Sequence, residues 1–143
     1  MGQGSGLAGY LRDWREARIV VDISESATTN LGVSRDQIEK EVIDLLAREP
    51  MGVTVKAQAH GYFYFRLMAD VVPNLQYYGV LDVRVVRPVV VVPIGKVAVA
   101  AIWEEALPLS GPVGDFATDL LAAIQNALTK LKQDWQQDNA VGR

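Results

Sequence analysis

Among its 143 residues the sequence carries one imidazole, His60, and no thiol. Without cysteine there is no thiolate nucleophile, no disulfide, no iron-sulfur cluster and no zinc cage of the usual kind. His60 stands in the turn Ala59-His60-Gly61. A general base there would need a carboxylate to orient it and a nucleophile within reach, and neither is adjacent, so His60 reads as a solvent-facing turn residue. A metal would be left to that histidine and scattered carboxylates, with no Asp-x-Asp-x-Asp-Gly loop to gather them. No metal and no cofactor are expected.

Three acidic pairs remain as candidates for acid-base work. Asp22 and Glu25 end the first strand, Glu104 and Glu105 the last, and Asp115 and Asp119 open the final helix. A paired-carboxylate hydrolase needs two such groups facing each other at roughly 5 to 9 Å, one with its pKa raised by burial. Spacing along the chain does not impose that, and acids at 115 and 119 already suit the positive end of a helix dipole. Lys130 and Lys132 suit its negative end in the same way. Ser24, Ser26, Thr28 and Thr29 form a hydroxyl-rich segment without the strained Gly-x-Ser-x-Gly turn that activates a serine. No catalytic residue is assigned, and an enzyme is not expected.

The run Tyr62-Phe63-Tyr64-Phe65-Arg66 carries a recognition pattern. In a strand, Tyr62, Tyr64 and Arg66 share one face, and Arg84 and Lys56 fall on neighbouring strands. Aromatic sheet faces of this kind stack single-stranded nucleic acid. Against that use stand a net charge of -3 and the missing Gly-rich aromatic consensus. Tyr62, Tyr64, Arg66, Tyr78 and Arg84 are therefore read as a binding face. Tyr77 and Trp103 are read with Tyr62, Tyr64 and Tyr78 as residues that cover an edge, line a groove or meet a protein partner.

The elements that must position these residues follow from periodicity. A hydrophobic fraction of 50% with 22% charged residues is enough for one domain with a real core. Residues 1–16 read as a flexible lead-in or short helical arm, with Leu7, Leu11 and Trp14 at helical spacing; the glycines of the first six residues are not a phosphate loop. Residues 17–24 alternate as a strand with Ile19, Val21 and Ile23 on one side, and 25–33 read as a polar loop. Ser34 and Gln37 predict a capping box opening a helix over 34–48, with Ile38, Val42, Leu45 and Leu46 on its apolar stripe. Pro50 and Gly52 end it.

Strands follow at 53–58, 62–72 and 77–87, with Phe63, Phe65, Leu67, Ala69, Leu81, Val83 and Val85 inward. Pro88 marks an edge, a bulge or a change of direction. Residues 89–92 and 97–104 flank a tight turn and are expected to form a buried antiparallel hairpin; the run of about 15 residues falls short of the ~20 that a membrane-spanning helix needs. Residues 106–114, with two prolines and two glycines, read as a loop. Asp115 then caps a helix from Phe116 to about Trp135.

The result is an α+β two-layer sandwich ordered β-α-β-β-β-β-α. A mainly antiparallel sheet of about five strands carries two helices on one face, and the strands at 17–24 and 53–58 are free to pair in parallel across the helix that joins them. The domain is placed at 17–139 and a short tail at 140–143.

Read together, Tyr62 to Phe65, the Arg87-Pro88-Val89 corner, Trp103, the loop from Gly111 to Gly114 and the terminal Asp134-Trp135 with Asp138-Asn139 resemble a widespread group of small uncharacterised bacterial proteins made with an export signal. The likeness covers about Ile19 to Asn139. It implies a strand-helix-multistrand-helix fold and an extracytoplasmic location, periplasmic or membrane-associated after signal removal, and it brings no catalytic residues to carry over. The expected role is a non-enzymatic binding or assembly module of the bacterial envelope, with a protein partner or self-association and no transmembrane segment. The alternatives are a small hydrolase using paired carboxylates, single-stranded nucleic-acid binding on the aromatic face, and a cytoplasmic location.

Overall fold

The computed structural model describes residues 9–140. Its elements are β1 (Glu16–Ile23), α1 (Glu25–Leu31), α2 (Arg35–Arg48), β2 (Thr54–Val55), β3 (Tyr62–Val72), β4 (Gln76–Val91), β5 (Lys96–Pro112), a 3-10 turn (Val113–Asp115) and α3 (Phe116–Asp138). The strands form one sheet in the order β2-β1-β3-β4-β5. β1 pairs in parallel with both β2 and β3, and the long β3-β4 and β4-β5 ladders are antiparallel. The architecture is the expected α+β one, with a third helix added.

Period-two alternation divides the sheet into two faces. Phe63, Phe65 and Leu67 of β3 stand beside Val85, Val83 and Leu81 of β4, and Trp103 of β5 completes the first of these rows. All seven are buried, and α3 lays Leu120, Ile124, Leu128 and Leu131 in the same core, with Ile38, Val42 and Leu45 from α2. α2 begins as its sequence dictates: the Ser34 side chain accepts from the Gln37 backbone N–H, while the Gln37 side chain accepts from the Ser34 backbone N–H.

Residues 25–31, expected as loop, are helical. Ser24 caps the first turn with its hydroxyl and Gly32 closes the last in the left-handed conformation. Seven residues rich in Ser and Thr do not hold a helix by propensity. Tertiary bonds do it: the Ser24 N–H donates to the Leu67 carbonyl, the Ala69 N–H donates to the Ser24 hydroxyl at 3.2 Å, and the Ser26 hydroxyl donates to the Ala69 carbonyl at 2.7 Å. These serines occupy the edge of β3 where β1 ends, satisfying backbone groups that would otherwise be left open.

Residues 106–112, also expected as loop, continue β5. Pro108 and Pro112 lie on the outer edge strand, two pleats apart, where their missing N–H faces away from β4. Leu107 and Leu109, on either side of Pro108, pack against the core. Asp115 does not cap α3 with its side chain; the 3-10 turn already places it in the helical region (φ -95°, ψ -2°) rather than in the extended conformation from which a cap reaches back.

The described part of the lead-in is not helical. Residues 9–13 form a turn whose Leu11, followed by Trp14, enters the core. The end of α3 holds it. Asp138 accepts from the Gly9 and Leu11 N–H groups at 2.9 and 3.0 Å, Asn139 donates to the Leu11 carbonyl, and the Trp135 indole donates to the Trp14 carbonyl at 2.8 Å. Leu7 and residues 141–143 lie outside the described residues.

Candidate functional site

The helices α2 and α3 cover one face of the sheet, leaving two surfaces to consider: the opposite face, and the part of β4 and β5 that outruns the rest.

The opposite face carries all five residues read as a binding face. Register sets Tyr62 beside Arg18, Tyr64 beside Arg84, Arg66 beside Asp22 and Asp82, and Tyr78 beside Asp70. Tyr78 and Arg66 are exposed, while Tyr62, Tyr64 and Arg84 are half-buried. The Arg84 side chain is held by Asp82 at 2.9 Å and Glu104 at 3.0 Å. Partial burial works against its charge, but these bonds outweigh that and raise its pKa. Tyr64 donates to Asp22 at 3.0 Å, and desolvation together with that bond raises the phenol's pKa. Arg18 stacks over the Tyr62 ring at 4.8 Å. Arg84 is thus matched by carboxylates, and the register sets Arg66 between Asp22 and Asp82, which works against the net positive field that a nucleic-acid platform uses.

The pair Glu104 and Glu105 is split. Glu104 and Glu105, neighbours in β5, point to opposite faces: Glu104 to Arg84, Glu105 inward to Lys130 at 3.3 Å. Asp22 lies three strands from Glu104, about 14 Å at the usual strand spacing and beyond the separation of a carboxylate pair that shares one bond to break. Asp119 accepts from the Tyr77 hydroxyl. Lys56, expected near the aromatic face, pairs with Glu16 at the β2 end of the sheet.

Two aromatic residues read as surface contacts are core residues. Tyr77 packs edge-on against Phe116 with ring centroids 5.0 Å apart, and Trp103 is fully buried. Each spends its polar atom on a carboxylate of α3: Tyr77 on Asp119, Trp103 on Asp134 at 2.8 Å. Burial and the bond to Asp119 push the Tyr77 hydroxyl far above the ordinary range of a phenol.

The second surface is the hairpin expected to be buried. β3 begins at Tyr62, opposite Val86, so residues 87–91 of β4 pair only with 96–100 of β5. A bulge between Val85 and Val86 marks the junction. Pro88 sits just beyond it, on a strand that has become an edge. From there a two-stranded arm projects, with Val90 62% exposed, Val97 72% and Val92, in the turn, 84%. Val99 and Ile94 are exposed too. Pro88 faces Val99 and Val90 faces Val97, so one side of the arm is a continuous apolar ladder. Lys96 is its only formal charge beyond Arg87.

At the far end of the sheet, α2 and α3 part. Their later turns close on each other around Leu45 and Leu128, whereas their first turns leave an open cleft of about 320 Å³. Leu31, Ile38, Phe116 and Leu121 line it, with Gln37 and Glu41 at its polar side. Sequence patterning alone did not indicate this cleft: Ile38, Phe116 and Leu121 belong to helical stripes read as core-facing, and Leu31 falls in the segment read as loop.

No family model and no curated protein matches the sequence. Solved structures do match it by shape. A PelC dodecamer from Paraburkholderia phytofirmans superposes with a TM-score of 0.51 at 14% identity, over 91% of this chain and 92% of that one. The two share a fold. A Xanthomonas campestris protein of family model DUF330 gives a TM-score of 0.42 at 8% identity, over 94% and 93% of the respective chains. Among the described residues, no helix is long and apolar enough to cross a membrane.

Proposed function

We propose that the chain is a non-enzymatic assembly module of the bacterial envelope, acting outside the cytoplasm, whose copies associate through the projecting arm. The observation that carries the reading is the solvent exposure of Val90, Val92, Ile94, Val97 and Val99 on a two-stranded arm, where no other described element covers them. Exposed apolar surface of this extent on a soluble domain is where another surface docks. Full burial of each such side chain contributes about 1.5–3 kcal/mol, so five of them are of the order needed to offset an association cost of about 4–15 kcal/mol. The dodecameric state of PelC, which has the same fold, supports self-association. The location rests on the resemblance to exported bacterial proteins.

Sedimentation velocity across the micromolar range tests the reading, with flotation on phosphatidylethanolamine-phosphatidylglycerol vesicles alongside. Assembly that strengthens with concentration, with no flotation, is expected. A monomer at every concentration, or one that floats with the vesicles, contradicts it.

The outer face supports a second contact, for a protein partner. Tyr62, Tyr64, Arg66, Tyr78 and Arg84 share the face opposite α2 and α3, and Tyr and Arg are among the residues that dominate such interfaces. Arg66→Glu together with Tyr78→Ala would abolish capture of the partner and leave self-association unchanged; capture undiminished by the pair removes this role.

A further inference from the structure

We propose that the tip of the arm of one copy seats in the cleft between α2 and α3 of the next, so that the copies join head to tail. The proposal deepens the reading of the arm as the assembly element by naming what receives it.

The geometry begins with distance. The cleft is formed by the first turns of α3, where Phe116 packs on Tyr77 near the start of β4; the tip follows Val91 at the end of the same strand. At about 3.3 Å per residue, the fourteen steps from Tyr77 to Val91 span roughly 45 Å. A continuous paired strand does not fold back over that length, so an arm cannot reach the cleft of its own chain. Knob and hole therefore sit at opposite ends of one paired ladder, bent at the bulge after Val85 but unbroken as far as Val91.

Their chemistry matches. The tip offers Val92, Pro93 and Ile94, the first and last largely exposed, with Lys96 immediately behind them. The cleft offers aliphatic walls from Leu31, Ile38 and Leu121, and the carboxylate of Glu41 on its rim. Apolar tip against apolar wall and Lys96 against Glu41 is a complementary pair in both respects. Because the two surfaces differ, the contact is heterologous: each copy has one tip and one cleft free for further neighbours, and assembly closes into a ring or runs on as a filament.

The experiment uses two variants of the full chain: Ile94→Asp spoils the tip, and Leu121→Asp, on a partly exposed wall of the cleft, spoils the hole. Sedimentation velocity is run on each alone and on their equimolar mixture, with circular dichroism melting to show that both fold. Each variant alone should lose the assembly formed by the unaltered protein. The mixture should give a dimer and stop there, since one partner keeps a working tip and the other a working cleft. A charge exchange sharpens this: Lys96→Glu and Glu41→Lys should each weaken assembly at least tenfold, and mixing the two should restore it in part through the pair of reversed charges. If Leu121→Asp assembles like the unaltered protein while Ile94→Asp does not, the arm associates elsewhere, the cleft is overturned and the assembly reading stands. If the unaltered protein itself is a monomer throughout, both fall. If each variant is monomeric and their mixture stays monomeric too, head-to-tail seating is overturned.

Discussion

Two halves of the same strand behave in opposite ways. Between Tyr77 and Val86, β4 has β3 on one side, β5 on the other and helices over its inner face, and its valines at 83 and 85 are fully buried. Between Arg87 and Val91 the composition is as apolar, yet β3 has ended and Val90 stands in solvent. A valine run thus specifies a strand but not a burial. Burial depends on how far the neighbouring strand reaches, and β3 ends opposite Val86, one residue past the bulge.

The comparison predicts a graded series. In the body, Phe65→Ala removes a fully buried ring and should cost about 3–5 kcal/mol, read as a shift in the urea midpoint; a loss below about 1 kcal/mol would mean that the core is looser than its packing. Asp138→Ala breaks two charge-assisted bonds to the backbone of the 9–13 turn and leaves those donors half-buried. The expected loss is about 1.5–3 kcal/mol, with the indole fluorescence of Trp14 and Trp135 shifting as the turn detaches. Ser24→Ala should cost about 1 kcal/mol or somewhat more, since the hydroxyl serves both the cap of α1 and the Ala69 N–H; hydrogen exchange at Ala69 should speed up with it.

A smaller effect is expected at Asp70, whose pKa is lowered by the bond from the Asn30 amide and then by the Val71 N–H. A carboxyl depressed in the folded state stabilises fully above its ordinary value near 3.8 and loses that contribution as pH falls through the lowered folded value. Asn30→Ala should therefore flatten the acid limb of stability below that value, with no change at pH 7 in the slope of stability against pH. On the arm, Val90→Ser should leave monomer stability within about 0.5 kcal/mol.

Much of the architecture is legible in the sequence because period two and period 3.6 are strong signals: the capping box at Ser34, the alternation of β3 and the stripe of α3 all stand where the residues put them. What the pattern hides has physical causes. α1 is held by bonds to β3 that lie more than 40 residues away, so its local composition says loop. β5 passes through Pro108 and Pro112 because it is the edge strand, a fact of topology rather than of propensity. Tyr62, Tyr64 and Arg66 are legible together from alternation alone, whereas the register between β3 and β4 is what brings Arg84 and Tyr78 to the same face. The neutralisation of Arg84 by Asp82 and Glu104, and the exposure of the arm, depend on strand neighbours that only the fold supplies.

The central claim is that the arm, spared by the core, exists to be covered by another copy. Sedimentation velocity of the protein beside its Val92→Ser, Ile94→Ser double variant tests it most directly, with thermal melts run on both. The account predicts a concentration-dependent oligomer for the former and, for the latter, a folded monomer whose melting temperature does not change with concentration; identical sedimentation of the two would contradict it.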